Sequence, residues 1–393
     1  MTLAGEQTIQ PHEGALPNGF TRRQIASAIS PRVQELILLP TEKCNFRCTY
    51  CYEDFELGKM SPVTQRAIEL FLEKRVPSLE LLKFSWFGGE PLLATDVVLR
   101  LSEFAKDLCD RHSIKFQGGM TTNGYVLEKP LAEKLISLNQ DFFQVTFDGW
   151  GTAHDELRKR ADGRETFQKI WDNLIAMKSL NLKFEVCVRL HLRRDNLKNI
   201  ELFLENFAAT FRGDDRFYLD FQHLRDMGGE GGKTIVDGIS YKELLGIEAG
   251  LRSIYRTALA KVLGLPVPVE QDTTFVQKAA NAGESAGSQR AVEYVHGEPY
   301  VCYASKANSI LIRSNGRIGK CTVAFNDSRN DIGELAADGS IKIDNDKLRP
   351  WLVGLSNYDA EAAGCPIHAM PTEVKKIEIV KKAKMLHPES IMN

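Results

Sequence analysis

Cys44, Cys48 and Cys51 fall in one short run, Thr41-Glu-Lys-Cys-Asn-Phe-Arg-Cys-Thr-Tyr-Cys-Tyr, spaced C-x3-C-x2-C with Tyr50 before the third cysteine. Three thiolates on one loop suit three corners of a [4Fe–4S] cube and leave the fourth iron without a protein ligand nearby in sequence. An open metal position is a catalytic feature, because a substrate or cofactor binds there. Zinc is the alternative, but a closed zinc site needs a fourth ligand. The next histidine downstream is His112.

A second group of residues is spread through the chain. Phe87-Gly88-Gly89-Glu90-Pro91 combines two glycines, which let backbone approach a ligand closely, with a carboxylate that can accept from an ammonium group. Thr121-Thr122-Asn123-Gly124 and Val145-Thr146-Phe147-Asp148-Gly149 read, each alone, as strand-to-helix turns in which Asn and Asp cap backbone groups. Cys302 and Cys321 flank Ser314-Asn315-Gly316, a hairpin turn that would bring them together. Cys365 follows in Ala-Gly-Cys-Pro-Ile-His368. Cys109 lies in a helical pattern with Leu101, Phe104 and Leu108 and reads as a small buried hydrophobe.

These residues need a frame. Strand patterns fall at 34–41, 82–88, 115–122, 142–148, 183–191 and 216–223, alternating with helical patterns near 62–76, 95–112, 130–138, 165–180 and 196–209. Ser61-Pro62 is a good helix start. The alternation predicts an α/β fold with a parallel sheet and right-handed crossovers, here a partial (β/α)6 barrel of the TIM type. Chemistry then belongs at the C-terminal ends of the strands, where the cysteine loop and the three turn motifs all fall. In 183–191 the apolar residues Phe184, Val186, Val188 and Leu190 alternate with Lys183, Glu185, Cys187, Arg189 and His191, which should face the lumen. The sixth strand offers Tyr218, Asp220 and Gln222 in the same way.

The expected organisation is an extension at 1–33, with a short helix at 21–29, the barrel at 34–224, a bridge at 225–298 and a small cysteine-bearing domain at 299–393. The bridge holds Met-Gly-Gly-Glu-Gly-Gly-Lys and a helix at 240–262, and a lysine-rich helix is expected near 371–385. The chain has 393 residues, 43% hydrophobic and 26% charged, with a net charge of −2. That is an ordinary globular composition, with no general attraction to nucleic acid or anionic membrane. No apolar run approaches a membrane span and the start lacks a signal-peptide pattern. Eight cysteines without such a signal point to a reducing cytoplasm and to metal binding.

The cysteine spacing, the Gly-Gly-Glu-Pro segment one strand later and the two further strand-end motifs together resemble the radical S-adenosylmethionine (SAM) superfamily. Asp148-Gly…His154-Asp155-x-x-Arg158 looks like a run in its peptide-modifying members. The resemblance implies that Cys44, Cys48 and Cys51 hold a [4Fe–4S] cluster that binds SAM. Phe87, Gly88, Gly89, Glu90, Pro91, Thr122, Asn123, Thr146, Asp148, Arg158 and Arg189 would line the SAM site. It implies reductive cleavage of SAM to a 5′-deoxyadenosyl radical that takes hydrogen from a substrate, with an external electron donor of flavodoxin or ferredoxin type. Cys302-x13-Gly316-x4-Cys321 resembles the opening of the SPASM or twitch extension. That extension's full pattern continues with several more cysteines, whereas here only Cys365 remains. Cys302, Cys321 and Cys365 are thus expected to hold one auxiliary [4Fe–4S] cluster, with a structural module as the alternative. The first expectation for function is a maturase that crosslinks or otherwise oxidises a ribosomally made precursor peptide. Leader recognition would fall to the barrel and bridge or to a separate leader-binding protein. A sulfatase-maturase-like oxidase of Cys or Ser, a peptide epimerase using Cys365 or Cys187, and a non-catalytic metal-binding regulator are the alternatives. Glu185, Asp220 and His368 are the candidate bases.

Overall fold

The computed structural model describes residues 16–235, 238–266, 294–295 and 298–371. Its strands in chain order are β1 (Val33–Leu38), β2 (Phe46–Cys48), β3 (Leu81–Trp86), β4 (Lys115–Thr122), β5 (Gln140–Phe147), β6 (Arg158–Arg160) and β7 (Glu185–Leu192). They continue with β8 (Phe217–His223), β9 (Tyr294–Val295), β10 (Glu298–Pro299), β11 (Ser309–Ile312), β12 (Arg317–Gly319), β13 (Gly333–Leu335) and β14 (Ile341–Ile343).

Six strands, β1, β3, β4, β5, β7 and β8, pair in parallel in that order. Helices Pro62–Arg75, Thr95–Arg111, Lys129–Ser137, Phe167–Lys178 and Leu197–Phe211 connect them. This is the expected partial barrel. The first of these helices begins as its sequence predicts: Ser61 Oγ accepts from Thr64 N and Pro62 takes the first turn. The amphipathic face of each helix is buried against the sheet, and the aromatic set Phe147, Trp150, Phe167, Trp171 and Phe203 fills the space behind β5.

Two parts of the topology are not visible in the sequence pattern. First, β11 pairs in parallel with β1, and β12, β13 and β14 follow it antiparallel, so the late strands extend the barrel sheet to ten strands. The turn at Ser314-Asn315-Gly316 is present, with Gly316 at φ +86 and its N–H donating to Arg313 O. Second, β2 pairs antiparallel with β6, which places Cys48 opposite Arg158. The bridge carries a helix, Tyr241–Leu263, closed at its start by a reciprocal Ser240–Glu243 capping box and at its end by Gly264. Residues 372–385 of the expected lysine-rich helix, residues 267–293 of the bridge and residues 1–15 of the extension lie outside the described residues.

Candidate active site

The cysteine loop leaves β1 at its C-terminal end and lies flush against the turn that follows β3. A Cβ on Gly88 would stand 2.2 Å from Thr41 O, and one on Gly89 would stand 2.6 Å from both Glu42 O and Lys43 O. Glycine is required at both positions by this close approach. Glu90 N also donates to Lys43 O at 3.0 Å.

The Glu90 carboxylate is fully buried and accepts from Leu92 N at 3.0 Å, Thr122 Oγ1 at 2.7 Å and Asn123 N at 2.6 Å. It braces the end of β3 to the end of β4. Asn123 carries the brace onward, its Nδ2 donating to Asn45 Oδ1 at 2.8 Å within the cysteine loop. Thr122 and Asn123 thus hold the loop from below.

Asp148 and Arg158 are both buried beside the loop. Arg158 Nη1 donates to Tyr50 Oη at 2.8 Å, and Tyr50 Oη donates to Asp148 Oδ2 at 2.6 Å. Burial pushes the Asp148 carboxyl up, but His191 and Arg158 outweigh it and hold it near 2. Thr146 is buried on β5, and Pro91 opens the short helical turn after Glu90.

All three loop thiols are free and half-buried. Burial pushes Cys51 up to about 12 and raises Cys44 and Cys48 as well. A thiolate here therefore needs a compensating cation, which iron supplies when it ligates sulfur. Phe46 N donates to Cys44 Sγ at 3.3 Å, a backbone contact of the kind that tunes cluster sulfurs. Among the described residues no three His, Cys, Asp or Glu side chains converge as ligands of a single ion would. The three-thiol set fits a cube, which takes one thiolate per corner iron, better than a zinc ion.

The late cysteines are gathered as well. Cys302, Cys321 and Cys365 lie close enough for their charges to act on one another. Cys302 N donates to Ala363 O at 2.9 Å, which ties the first of them to the helix before Cys365. Lys320 is buried beside them, its Nζ donating to Lys306 O at 2.6 Å and to Ser309 O. Burial lowers its pKa to about 7.

The inner face of the sheet encloses a cavity of about 970 Å³ lined by Phe87, Gln144, Glu185, Arg189, Tyr303 and Thr322, among others. Phe87 and Tyr303, which also line the cavity, pack with Phe325 against the buried residues Ile37, Leu39 and Leu311. Arg189 reaches the cavity but is already paired with Asp220 at 2.7 Å, and Gln222 Nε2 donates to the same carboxylate at 3.1 Å. Glu185 lines the cavity at the opposite end of β7 from His191, about 20 Å away at ~3.3 Å per residue. Cys187 is buried and hydrogen-bonded to Tyr218. His368 lines a second cavity of about 500 Å³, on the side of the loop bounded by Tyr52, Glu53 and Gly229.

One consequence for stability follows from His154. It is fully buried, accepts from Asp148 N at 3.4 Å through Nδ1 and meets Thr166 Oγ1 at 3.2 Å through Nε2. Burial, followed by the charge of Arg158, lowers its pKa from 6.5 to about 4. Between those values the unfolded chain binds more protons. The stabilisation from neutral His154 is thus complete above pH 6.5 and is lost as pH falls toward 4, by roughly 3 kcal/mol. In urea unfolding from pH 7 to 4, His154→Gln should flatten this acid limb. Equal slopes in the two proteins would refute the assignment.

A partial parallel barrel with three free thiols on the loop after its first strand offers a site for an open metal cluster. Residues 38–207 match the family described as the Radical SAM superfamily. The family implies a [4Fe–4S] cluster and SAM, and the residues of the cysteine loop fit them. A GTP 3′,8-cyclase of Microcystis aeruginosa is 32% identical over 154 residues, 37% of this chain and 45% of that protein. A cysteine-type anaerobic sulfatase-maturating enzyme of Clostridium novyi is 23% identical over 193 residues, 47% of this chain and 50% of that one. The chain spans about half the length of the curated relatives it matches. Among solved structures, anSMEcpe with bound AdoMet and Cp18Cys peptide shares the fold at TM-score 0.51 and 17% identity, covering 80% of each chain. Streptococcus suis SuiB bound to precursor peptide SuiA does so at TM-score 0.50 and 15% identity, covering 84% of this chain and 68% of that one. No helix among the described residues is long and apolar enough to cross a membrane.

Proposed function

We propose that this chain is a radical SAM enzyme that oxidises or crosslinks a peptide. The observation that carries this reading is the cavity of about 970 Å³ on the inner face of the barrel, lined in part by Tyr303 and Thr322, each next in sequence to one of the late cysteines. A peptide side chain fits a cavity of that size, and both fold neighbours named above carry a bound peptide.

When bound, the cluster and SAM supply a 5′-deoxyadenosyl radical after one-electron reduction, and the chemistry is theirs. The protein's part is placement. Cys44, Cys48 and Cys51 would hold the cluster. Glu90, Thr122, Asn123 and Asn45 fix the loop, and Gly88 and Gly89 bring backbone against it. Arg189, held by Asp220, presents a guanidinium to the cavity for a substrate carbonyl or carboxylate. Phe87 and Tyr303 give the cavity part of its apolar wall. Cys302, Cys321 and Cys365 would hold an auxiliary cluster able to take the second electron of an oxidation. An external flavodoxin- or ferredoxin-type donor would supply the first electron.

The test is anaerobic reconstitution with iron and sulfide, then dithionite, SAM and a candidate precursor peptide. The expected result is 5′-deoxyadenosine together with a peptide of lower mass. A cyclised product from GTP, or nucleoside with no change in any peptide, would overturn the peptide reading.

A further inference from the structure

Behind the cysteine loop lies a buried polar network. Tyr50, the residue before the third cysteine, is its hub. A phenol has one proton to give. Tyr50 gives it to Asp148 Oδ2 at 2.6 Å and accepts from Arg158 Nη1 at 2.8 Å. His191 Nδ1 stands 3.1 Å from the same oxygen and 3.5 Å from Asp148 Oδ1. Since the Tyr50 proton is committed to Asp148, the proton between Tyr50 and His191 must sit on Nδ1, and the ring donates.

The network is anchored on every side. Asn196 Nδ2 donates to the main-chain carbonyls of Asp148 at 3.0 Å and of His191 at 2.9 Å. Thr166 Oγ1 donates to Arg158 O at 2.7 Å. Asp148 is 0% exposed and Arg158 8%. Arg158 Nε lies 3.7 Å from Asp148 Oδ2, so one cation and one anion sit side by side in a dry space. Neither Arg158 Nε nor Asp148 Oδ1 has a hydrogen-bond partner, which marks the pair as incompletely satisfied by its own members.

Its position gives this pair a use. In the ladder between β2 and β6 Cys48 is the direct partner of Arg158. Buried charges at such range are weakly screened and act strongly on any neighbouring group whose charge changes. A cluster on these thiols gains one negative charge on reduction, and cluster potentials follow nearby charge, hydrogen bonds and solvent exposure.

We propose that Arg158 and Asp148 are positioning residues of opposed sign that, joined through Tyr50, hold the cysteine loop and set how readily its cluster accepts an electron. Arg158 favours the reduced cluster and Asp148 opposes it. Tyr50 fixes both at the loop.

The proposal rests on the cluster reading above, and its test separates the two. The full chain is reconstituted with iron and sulfide, and the cluster's reduction is followed by electron paramagnetic resonance against potential, without SAM or peptide. Arg158→Gln should move the midpoint to more negative potential. Asp148→Asn should move it the other way. Arg158→Lys, which keeps the charge, should stay near the unaltered protein. A purely structural role predicts no such opposition of sign. Unshifted midpoints, or shifts of one sign in both variants, at full iron content would overturn the proposal and leave the cluster reading intact. If Arg158→Gln fails to hold iron, Asp148→Asn decides alone: a shift to less negative potential supports the proposal, and any other result overturns it. No reducible cluster in the unaltered protein would overturn both.

Discussion

Cys48→Ala is expected to abolish 5′-deoxyadenosine formation and to lose about four irons per chain, the content of one cube. The loss in rate should exceed roughly 10³-fold, about 4 kcal/mol in barrier. The reason lies in the geometry of the loop. Cys48 ends β2, its backbone is paired with Arg158, and its neighbours are fixed through Asn45, Tyr50 and Glu90. A loop braced at so many points cannot bring another thiol into the vacant corner. Cys321→Ala should behave differently. It is expected to lose about four irons as well, yet to keep SAM cleavage and fail in peptide product formation. Iron analysis and nucleoside assay on the two variants separate the clusters. If Cys321→Ala kept all its iron, the late cysteines would be structural. If Cys48→Ala still cleaved SAM, the loop would not be the cluster site.

Much of this was legible in the chain because its cues are local. Strand and helix periods gave six βα units, and Ser61-Pro62 and Ser314-Asn315-Gly316 marked a helix start and a turn that the fold contains. Spacing alone drew attention to the cysteine loop and to the turns that support it. What spacing could not give was the direction in which side chains spend their hydrogen bonds. Spacing does not show that Glu90 accepts from Leu92, Thr122 and Asn123. Nor does it show that β6, a strand of three residues too short for any periodic signal, folds back onto β2 and sets Arg158 opposite Cys48. Glu185, Arg189 and His191 alternate on one strand, but position along the strand assigns them to different neighbourhoods: Glu185 to the far end, Arg189 to the cavity, His191 to Tyr50. The pairing of β11 with β1 joins residues 274 positions apart and leaves no trace in either segment's pattern.

That remote pairing creates the second large expected effect. Arg313, one residue past β11, meets Glu42 of the cysteine loop through two bonds, Nε to Oε1 at 2.8 Å and Nη2 to Oε2 at 2.6 Å. Its Nη1 donates to Phe325 O at 3.0 Å, and its guanidinium lies 5.2 Å from the Phe325 ring centroid. The side chains are 8% and 2% exposed. Removing one partner of such a pair leaves an uncompensated buried charge, so Arg313→Met should cost about 3–5 kcal/mol. Glu42→Gln combined with Arg313→Met should recover much of that, since the double change leaves no unpaired charge. By contrast, Lys342→Met breaks an ion pair with Glu334 that is 69% and 62% exposed, and should cost less than about 1 kcal/mol. Urea unfolding of the three variants measures the difference. The effect should also reach the chemistry. Glu42 O and Lys43 O are the atoms against which Gly89 lies, and Lys43 O accepts from Glu90 N. A shift of residue 42 therefore moves the turn after β3 and the loop together, and Arg313→Met should slow SAM cleavage as well as weaken the fold. Equal midpoints for Arg313→Met and Lys342→Met would show that the late strands do not clamp the loop. A weakened fold with unchanged SAM cleavage would confine the clamp to stability.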